Sequence, residues 1–216
     1  MMSLLLIVLL SYLAGSIPTS IIVGKLLKGI DIRDYGSKNA GATNTLRVLG
    51  WKPALVVMVV DVGKGIFATL VIAKLRIDPV NLDSSLVQIM AGLAAICGHI
   101  WTIFAGFRGG KGVATAGGML IALYPWAALI CAGIFFLTVL ITRYVSVGSM
   151  TASASFPLVL VLLHYIFDIP ISYPLFFLSL LIGALIIYTH RSNIRRLLNG
   201  TENRFDINYF KKWREN

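Results

Sequence analysis

Acidic residues are scarce in this 216-residue chain. Nine Asp and Glu stand against nineteen Lys and Arg, and charged residues of both signs make up only 13% of it. That is too little charge to solvate the surface of a soluble globule. With 57% hydrophobic residues and a mean hydropathy of +0.84, the composition is that of a polytopic membrane protein, for which a single compact helical bundle suffices. Cysteine is nearly absent: Cys97 and Cys131 each fall inside an apolar run, which excludes a disulfide framework and reads as small buried hydrophobes. Histidine numbers three, and no His, Cys and acidic cluster has ligand spacing, so neither a metal nor a cofactor is expected. No nucleic-acid motif is present. The net charge of +10 is gathered into a few loops and the tail, which suits anionic headgroups and phosphates rather than a nucleic-acid partner.

Apolar stretches cover roughly residues 3–26, 53–75, 86–105, 113–142, 150–168 and 173–189, each near or above the length that crosses a hydrocarbon core as helix. Leu4 to Ala14 followed by Gly15 and Ser16 has the look of a signal-peptide core, but it lacks a cationic start. The apolar pattern resumes through Ile21, Ile22, Val23 and Leu26, so one span kinked at Pro18 is expected. Six spans would place the first basic loop (Lys25, Lys28, Arg33, Lys38, Arg47, Lys52) and the basic tail (Arg191, Arg195, Arg196, Arg204, Lys211, Lys212, Arg214) on opposite sides, against the positive-inside rule. Splitting 113–142 into two short spans at Tyr124-Pro125-Trp126 resolves the conflict. The expected fold is therefore an all-α bundle of seven transmembrane helices, with the amino terminus outside and the carboxyl terminus cytoplasmic. Residues 1–202 form one membrane domain and 203–216 a basic, aromatic tail in the cytoplasm or at the interface. Each half of 113–142 is short for a span, so tilt, local thinning or a buried re-entrant arrangement is needed.

Three glycine-rich cationic islands interrupt the apolar chain: Gly36 to Arg47, Gly106 to Thr115 and His190 to Glu202. Charge at lipid depth is costly, so such clusters line a cavity or face water. On one side of the membrane, the three could form a single pocket for a phosphorylated molecule. The second island, Gly106-Phe107-Arg108-Gly109-Gly110-Lys111-Gly112-Val113-Ala114-Thr115, directly precedes an apolar helix. Gly109, Gly110 and Gly112 let the backbone approach an anion with its amides turned inward, the helix start adds its positive end, Lys111 and Arg108 add charge, and Thr115 adds a hydroxyl. The glycine-lysine spacing differs from that of a nucleoside-triphosphate loop, and Gly112 then Val113 follow Lys111 where that loop needs a magnesium-binding hydroxyl, which excludes that class. The competing interpretation is a cationic anchor turn.

In the first island a helical turn over Thr43 to Leu49 would put Thr43, Asn44 and Arg47 on one face, with Ser37 and Asn39 as further hydrogen-bonding groups. A capped loop-helix junction is the plainer alternative. In the third, His190 and Asn193 lie one turn apart as an acid-base or hydrogen-bonding pair, while Arg191, Arg195 and Arg196 suit headgroups. Asp61 and Lys64 are spaced for an ion pair inside the second span, as a brace or as support for Lys111 or Arg47. Ser146, Gly148 and Ser149 offer hydroxyls or close helix packing, His99 could reach the pocket rim, and His164 falls near the far end of its span.

The islands, in this order, resemble the PlsY family of bacterial integral-membrane glycerol-3-phosphate acyltransferases. The likeness runs over nearly the whole chain. It is carried by Gly36-Ser37-x-Asn39-x-Gly41-Ala42-Thr43-Asn44 with Arg47, Asp61-x-x-Lys64-Gly65, Gly98-His99, Arg108-Gly109-Gly110-Lys111-Gly112-Val113-Ala114-Thr115, and His190-Arg191-x-Asn193-Ile194 with Gly200-Thr201-Glu202. Three departures stand out: Lys38 where glycine is usual, Ala40 where proline or isoleucine is common, and Thr102 where proline is frequent.

The resemblance implies a seven-span bundle in the bacterial cytoplasmic (inner) membrane with its active site facing the cytoplasm. It implies transfer of a fatty acyl group from acyl phosphate to the 1-hydroxyl of sn-glycerol 3-phosphate, giving lysophosphatidate and phosphate. Ser37, Arg47, Lys111, His190 and Asn193 are then the expected catalytic set. Asn39, Thr43, Asn44, Arg108, Gly109, Gly110, Gly112, Thr115, Ser146, Ser149 and Glu202 are expected to bind substrate or phosphate. Membrane lipid and a soluble enzyme producing acyl phosphate are the partners to expect. No His is followed by Asp at the spacing of the soluble-domain glycerolipid acyltransferases. A carrier for a phosphorylated solute or lipid is the alternative class, but the charge lies mainly on one side and no inverted repeat is visible.

Overall fold

A computed structural model describes residues 1–206; the tail positions Lys211, Lys212 and Arg214 lie outside the described residues. All the regular structure described is helical, and it divides into two compact units, Met1–Leu123 and Tyr124–Asp206.

The first unit contains α1 (Met2–Gly15), α2 (Thr19–Lys28), α3 (Ala42–Leu49), α4 (Trp51–Leu70), α5 (Ser84–Ile100) and α6 (Val113–Leu123). Pro18 cannot donate a helical hydrogen bond, and the backbone breaks there at φ −87°, ψ 67°. α1 and α2 nevertheless make one apolar span of 27 residues, as the sequence suggests. The carbonyls released at the break find side-chain donors: Thr102 Oγ1 donates to Ser16 O, and Lys64 Nζ donates to Ile17 O at 3.3 Å. Ile7, Ala68, Ile72, Ala73, Val87, Ala91 and Ala95 form a core of small and branched side chains. Close backbone approach replaces bulk in this packing. A Cβ on Gly15 would sit 2.1 Å from Ala95 O, and one on Gly118 2.0 Å from Val62 O, the small-residue logic of helices packing in lipid.

Asp78 accepts hydrogen bonds from the backbone nitrogens of Met1, Met2 and Ser3, so the amino end and the segment after α4 share one end of this unit. The first two islands occupy the other end. α2 stops at Gly29, which takes the left-handed conformation at φ 67°. Two departures from the family pattern sit where the backbone asks for the family's residue. Lys38 has φ 60°, a value suited to glycine, and Thr102 has φ −68°, the value fixed by proline.

The second unit contains α7 (Pro125–Thr142), α8 (Val145–Phe167), α9 (Tyr173–Thr189) and α10 (Arg191–Leu198). The expected interruption of 113–142 is present: Tyr124 leaves helical geometry at φ −144°, ψ 77°, and Pro125 opens α7, where its missing N–H costs nothing. α7 and α8 pack closely at Gly148, whose added Cβ would meet Val139 Cγ2 at 2.6 Å and Phe135 O at 2.9 Å. At the opposite end Tyr124 Oη donates to Pro170 O at 3.0 Å. His164 Nδ1 lies 3.1 Å from Ile169 O, closing the turn after α8. α9 and α10 meet at His190 with a bend of 56°.

Among the described residues five segments are long and apolar enough to cross a membrane, or six if the bent α9–α10 pair is one span. α6 has 11 residues, a rise of about 16 Å against a hydrocarbon core of roughly 30 Å. Exposed Leu5, Val59, Phe136, Leu140, Ile141, Leu158 and Phe177 give the spans an apolar exterior of the kind lipid solvates. The chain is a multi-pass membrane protein.

Candidate active site

In the first unit the fold brings two islands together. Residues 42–49 do form a helix, α3, with Asn44 and Thr45 fully buried at its start. Asn44 is expected to grip substrate oxygens, yet its amide is occupied by the loop before it. Oδ1 accepts from Ser37 N at 2.8 Å, while Nδ2 donates to Ile32 O at 2.9 Å and Tyr35 O at 3.0 Å. Asn44 therefore folds the loop that presents Ser37, Lys38 and Asn39. Gly36 makes this possible: it lies at φ 59°, and a Cβ there would meet Asn44 Oδ1 at 2.4 Å. Thr43 and Arg47 remain half-buried on α3.

Arg33 ties this loop to the second island. Its Nη1 donates to Ala105 O at 2.8 Å and Arg108 O at 3.1 Å, while Nε and Nη2 hold the Asp31 carboxylate. The hydrogen bonds from Arg33 hold the pKa of Asp31 below the ordinary carboxylate range, so the pair stays ionised. In the sequence Arg33 stands only as one charge of the first basic loop; the Asp31-x-Arg33 spacing just ahead of the island is the local signal of its tie.

The glycines of the second island do not act as expected. The amides of Gly109 and Gly110 donate to Ile100 O and His99 O, both at 3.0 Å, so they cap the end of α5 rather than point at an anion. Glycine is needed there for contact. A Cβ on Gly109 would lie 2.0 Å from His99 O, and one on Gly110 would lie 2.1 Å from His99 Nε2 and 2.5 Å from Ala40 O. The amides still open on this loop are those of the first turn of α6, just past Lys111 and Gly112, which lack intrahelical acceptors by helix geometry. Gly112 turns the chain at φ 84°, Lys111 is half-buried, Arg108 is exposed, and Thr115 is fully buried with no hydrogen-bond partner for Oγ1.

Beneath this loop lies the predicted ion pair. Lys64 Nζ is 2.9 Å from Asp61 Oδ1, which also accepts from Thr19 Oγ1 at 3.2 Å and lies 3.6 Å from His99 Nδ1. All four side chains are buried. A small, partly open cavity is lined by Asp61, His99, Thr19, Thr102, Ala40 and the glycines 109–110, so His99 reaches the second island as its position suggested.

In the second unit the third island folds around Glu202. Its Oε1 accepts from Ser146 Oγ at 2.9 Å and Asn193 Nδ2 at 2.7 Å, and its Oε2 from Arg196 Nε at 2.7 Å. Burial opposes ionisation of Glu202, but these three hydrogen bonds outweigh it and keep the carboxyl below its usual range. A carboxylate so engaged repels phosphate. Glu202 fixes the positions of Ser146 and Asn193, and Arg196 serves this contact rather than a headgroup. Ser149 Oγ donates back to Val145 O at 3.0 Å within α8. His190, nearly inaccessible at the α9–α10 bend, places Nδ1 at 2.7 Å from Ile186 O. A carbonyl only accepts, so Nδ1 carries a hydrogen, and in the neutral ring the lone pair belongs to Nε2. Arg191 stacks over the Tyr188 ring at 4.6 Å. Among the described residues no group of three His, Cys, Asp or Glu could hold a metal.

A family model described as glycerol-3-phosphate acyltransferase matches residues 5–200. Curated relatives of that description include one from Pelodictyon phaeoclathratiforme, 48% identical over 94% of this chain and 97% of its own length. Another, from Chlorobaculum tepidum, is 47% identical over 96% and 98%. Two crystal structures of PlsY, described as an integral membrane glycerol 3-phosphate acyltransferase, share the fold. The glycerol 3-phosphate form has a TM-score of 0.81 and 41% identity over 94% of this chain and 96% of that one. The lysophosphatidic acid form has 0.79 and 40% over 97% and 98%. Matched along almost its entire length in both sequence and fold, this membrane-spanning chain belongs to the PlsY family of glycerol-3-phosphate acyltransferases.

Proposed function

We propose that the chain transfers a fatty acyl group from acyl phosphate to the 1-hydroxyl of sn-glycerol 3-phosphate, releasing lysophosphatidate and inorganic phosphate. The observation that carries this reading is the pair of structural relatives, one in the glycerol 3-phosphate form and one in the lysophosphatidic acid form, the acceptor and product of such a transfer. The cationic, glycine-rich loops that carry Arg47, Arg108 and Lys111 support it, because both substrates are anionic.

In this reaction the oxygen of the 1-hydroxyl forms a bond to the acyl carbonyl carbon. The bond from that carbon to the phosphate oxygen breaks, and phosphate departs with the electron pair. Lys111 and Arg47 stabilise the negative charge that develops, an effect worth about 3 kcal/mol per donor in oxyanion sites. Ser37, Asn39, Thr43, Gly112 and Thr115 complete the phosphate contacts, while Asn44, Gly109 and Gly110 hold the loops in shape. Acyl phosphate is already activated, so its own phosphate oxygen takes the hydroxyl proton. His190 and Asn193 orient glycerol 3-phosphate through hydrogen bonds, with Ser146 and Ser149 beside them, and Glu202 keeps Asn193 and Ser146 in register.

The protein resides in the bacterial inner membrane with its islands on the cytoplasmic side, seven spans, the amino terminus outside and the carboxyl terminus inside. A soluble enzyme that makes acyl phosphate supplies the donor. The experiment is an assay of purified protein in detergent with radiolabelled glycerol 3-phosphate and either acyl phosphate or acyl coenzyme A. Lysophosphatidate and stoichiometric phosphate from acyl phosphate alone are expected. Product from acyl coenzyme A alone, or no product without a sealed membrane, would sink this reading, the latter in favour of a carrier.

A further inference from the structure

The buried cluster beneath the second island has no task in the reaction as written, and its geometry gives it one. His99 touches the Lys111 loop twice. Its carbonyl accepts the Gly110 amide at 3.0 Å, and its ring fills the space that a side chain on Gly110 would need, with Nε2 2.1 Å from the position of such a Cβ. The other ring nitrogen faces α4: Nδ1 lies 3.6 Å from Asp61 Oδ1, and that carboxylate is held by Lys64 at 2.9 Å and Thr19 at 3.2 Å. The groups converging on the His99 ring are thus the Asp61 carboxylate and the loop glycines, with Lys64 reaching it only through Asp61.

A buried ion pair is a weak source of stability, because desolvation offsets most of the attraction. What it does well is fix a geometry. We propose that His99 is a positioning residue, oriented by the Asp61–Lys64 pair, and that it holds the Gly109–Gly110 turn at the height that presents Lys111 to phosphate. The inference rests on Lys111 as a phosphate-binding residue. It extends the site to three side chains that do not touch substrate.

The test combines kinetics with a readout that needs no substrate. His99→Phe keeps the ring volume and removes the contact to Asp61; His99→Asn keeps a polar atom near the Nδ1 position. Asp61→Leu with Lys64→Met removes the ion pair without orphaning either charge. His99→Phe and the Asp61/Lys64 double variant should each lose about tenfold in kcat, with KM for glycerol 3-phosphate within threefold and thermal unfolding within about 5 °C of wild type. Their combination should be no more than threefold worse than either alone, since both act through one contact. His99→Asn should recover most of the loss. Hydrogen exchange at the Gly109 and Gly110 amides should quicken at least threefold in His99→Phe.

Turnover within twofold of wild type, losses that multiply, or unchanged exchange at those amides would each overturn the proposal. If the double variant does not fold, His99→Asn against His99→Phe decides by the same criteria. If the wild type makes no lysophosphatidate, the functional reading falls, while the exchange comparison still decides whether His99 holds the loop.

Discussion

Removing the Glu202 carboxylate should separate its orienting task from any direct role in binding. In Glu202→Ala the donors on Ser146 and Asn193, both nearly inaccessible, lose their acceptor, whereas Arg196, with 29% of its side chain exposed, can turn to water. Two orphaned buried donors at ~1–3 kcal/mol each put the loss at roughly 2–6 kcal/mol. In Glu202→Gln the amide oxygen still accepts from Ser146 and Asn193, and only the Arg196 contact is lost. That costs about 1–2 kcal/mol. The buried Cys131 on α7 provides the assay: with Cys97 replaced by alanine, a thiol-reactive dye follows exposure of this one cysteine during heating in detergent. On the scaling of soluble domains, Glu202→Ala should melt on the order of 10 °C lower and Glu202→Gln about 4 °C lower.

The pH dependence has a definite sign. The folded Glu202 carboxyl ionises below its ordinary value of 4.5, so its contribution is complete above that value. It is lost as pH falls through the lowered folded value, and Glu202→Gln should flatten this acid limb. Equal melting of both variants within 2 °C of wild type would refute the account of Glu202 as the hub of the third island.

Lys111→Ala and Arg47→Ala should each lose about a hundredfold or more in turnover while unfolding at the wild-type temperature; near-normal rates in purified Lys111→Ala would remove it from the phosphate site. Lys38→Gly should stabilise the first island by roughly 1 kcal/mol because it relieves a left-handed backbone at φ 60°, and a lower melting temperature would contradict that explanation. His190→Gln should keep partial turnover with its loss mainly in apparent affinity for glycerol 3-phosphate. Collapse at saturating substrate, with wild-type activity falling as pH drops through the histidine range, would identify His190 as a base instead. Cysteines placed at Tyr124 and Asn199 should label from opposite faces of sealed vesicles, and labelling from the same face would reject the seven-span arrangement.

Much of the architecture was legible in the linear pattern. The kink at Pro18, the break at Tyr124, the helical turn over 43–49 and the Asp61–Lys64 pair all follow from local rules, and all are present. Hydrogen-bond partners were not legible in that way. Asn44 and Glu202 have the residue types of a binding site, yet their polar atoms meet groups seven, twelve and fifty-six residues away. Gly109 and Gly110 resemble an anion cradle, but their amides return to the end of the preceding helix. Arg33 is legible in the sequence only as a loop charge, because the carbonyls it binds are more than seventy residues distant.

What the sequence determined by itself was the solvent and the chemistry: apolar runs too long for anything but lipid, and three basic, glycine-rich islands in an order that marks the family. These are properties of composition and spacing, which act before the chain is folded. Which polar groups face substrate and which are consumed in holding the site was decided only by tertiary structure. Leaving a buried donor or acceptor unpaired is costly, so most find a partner, and the partner is whichever group packing brings within about 3 Å, without regard to its distance along the chain.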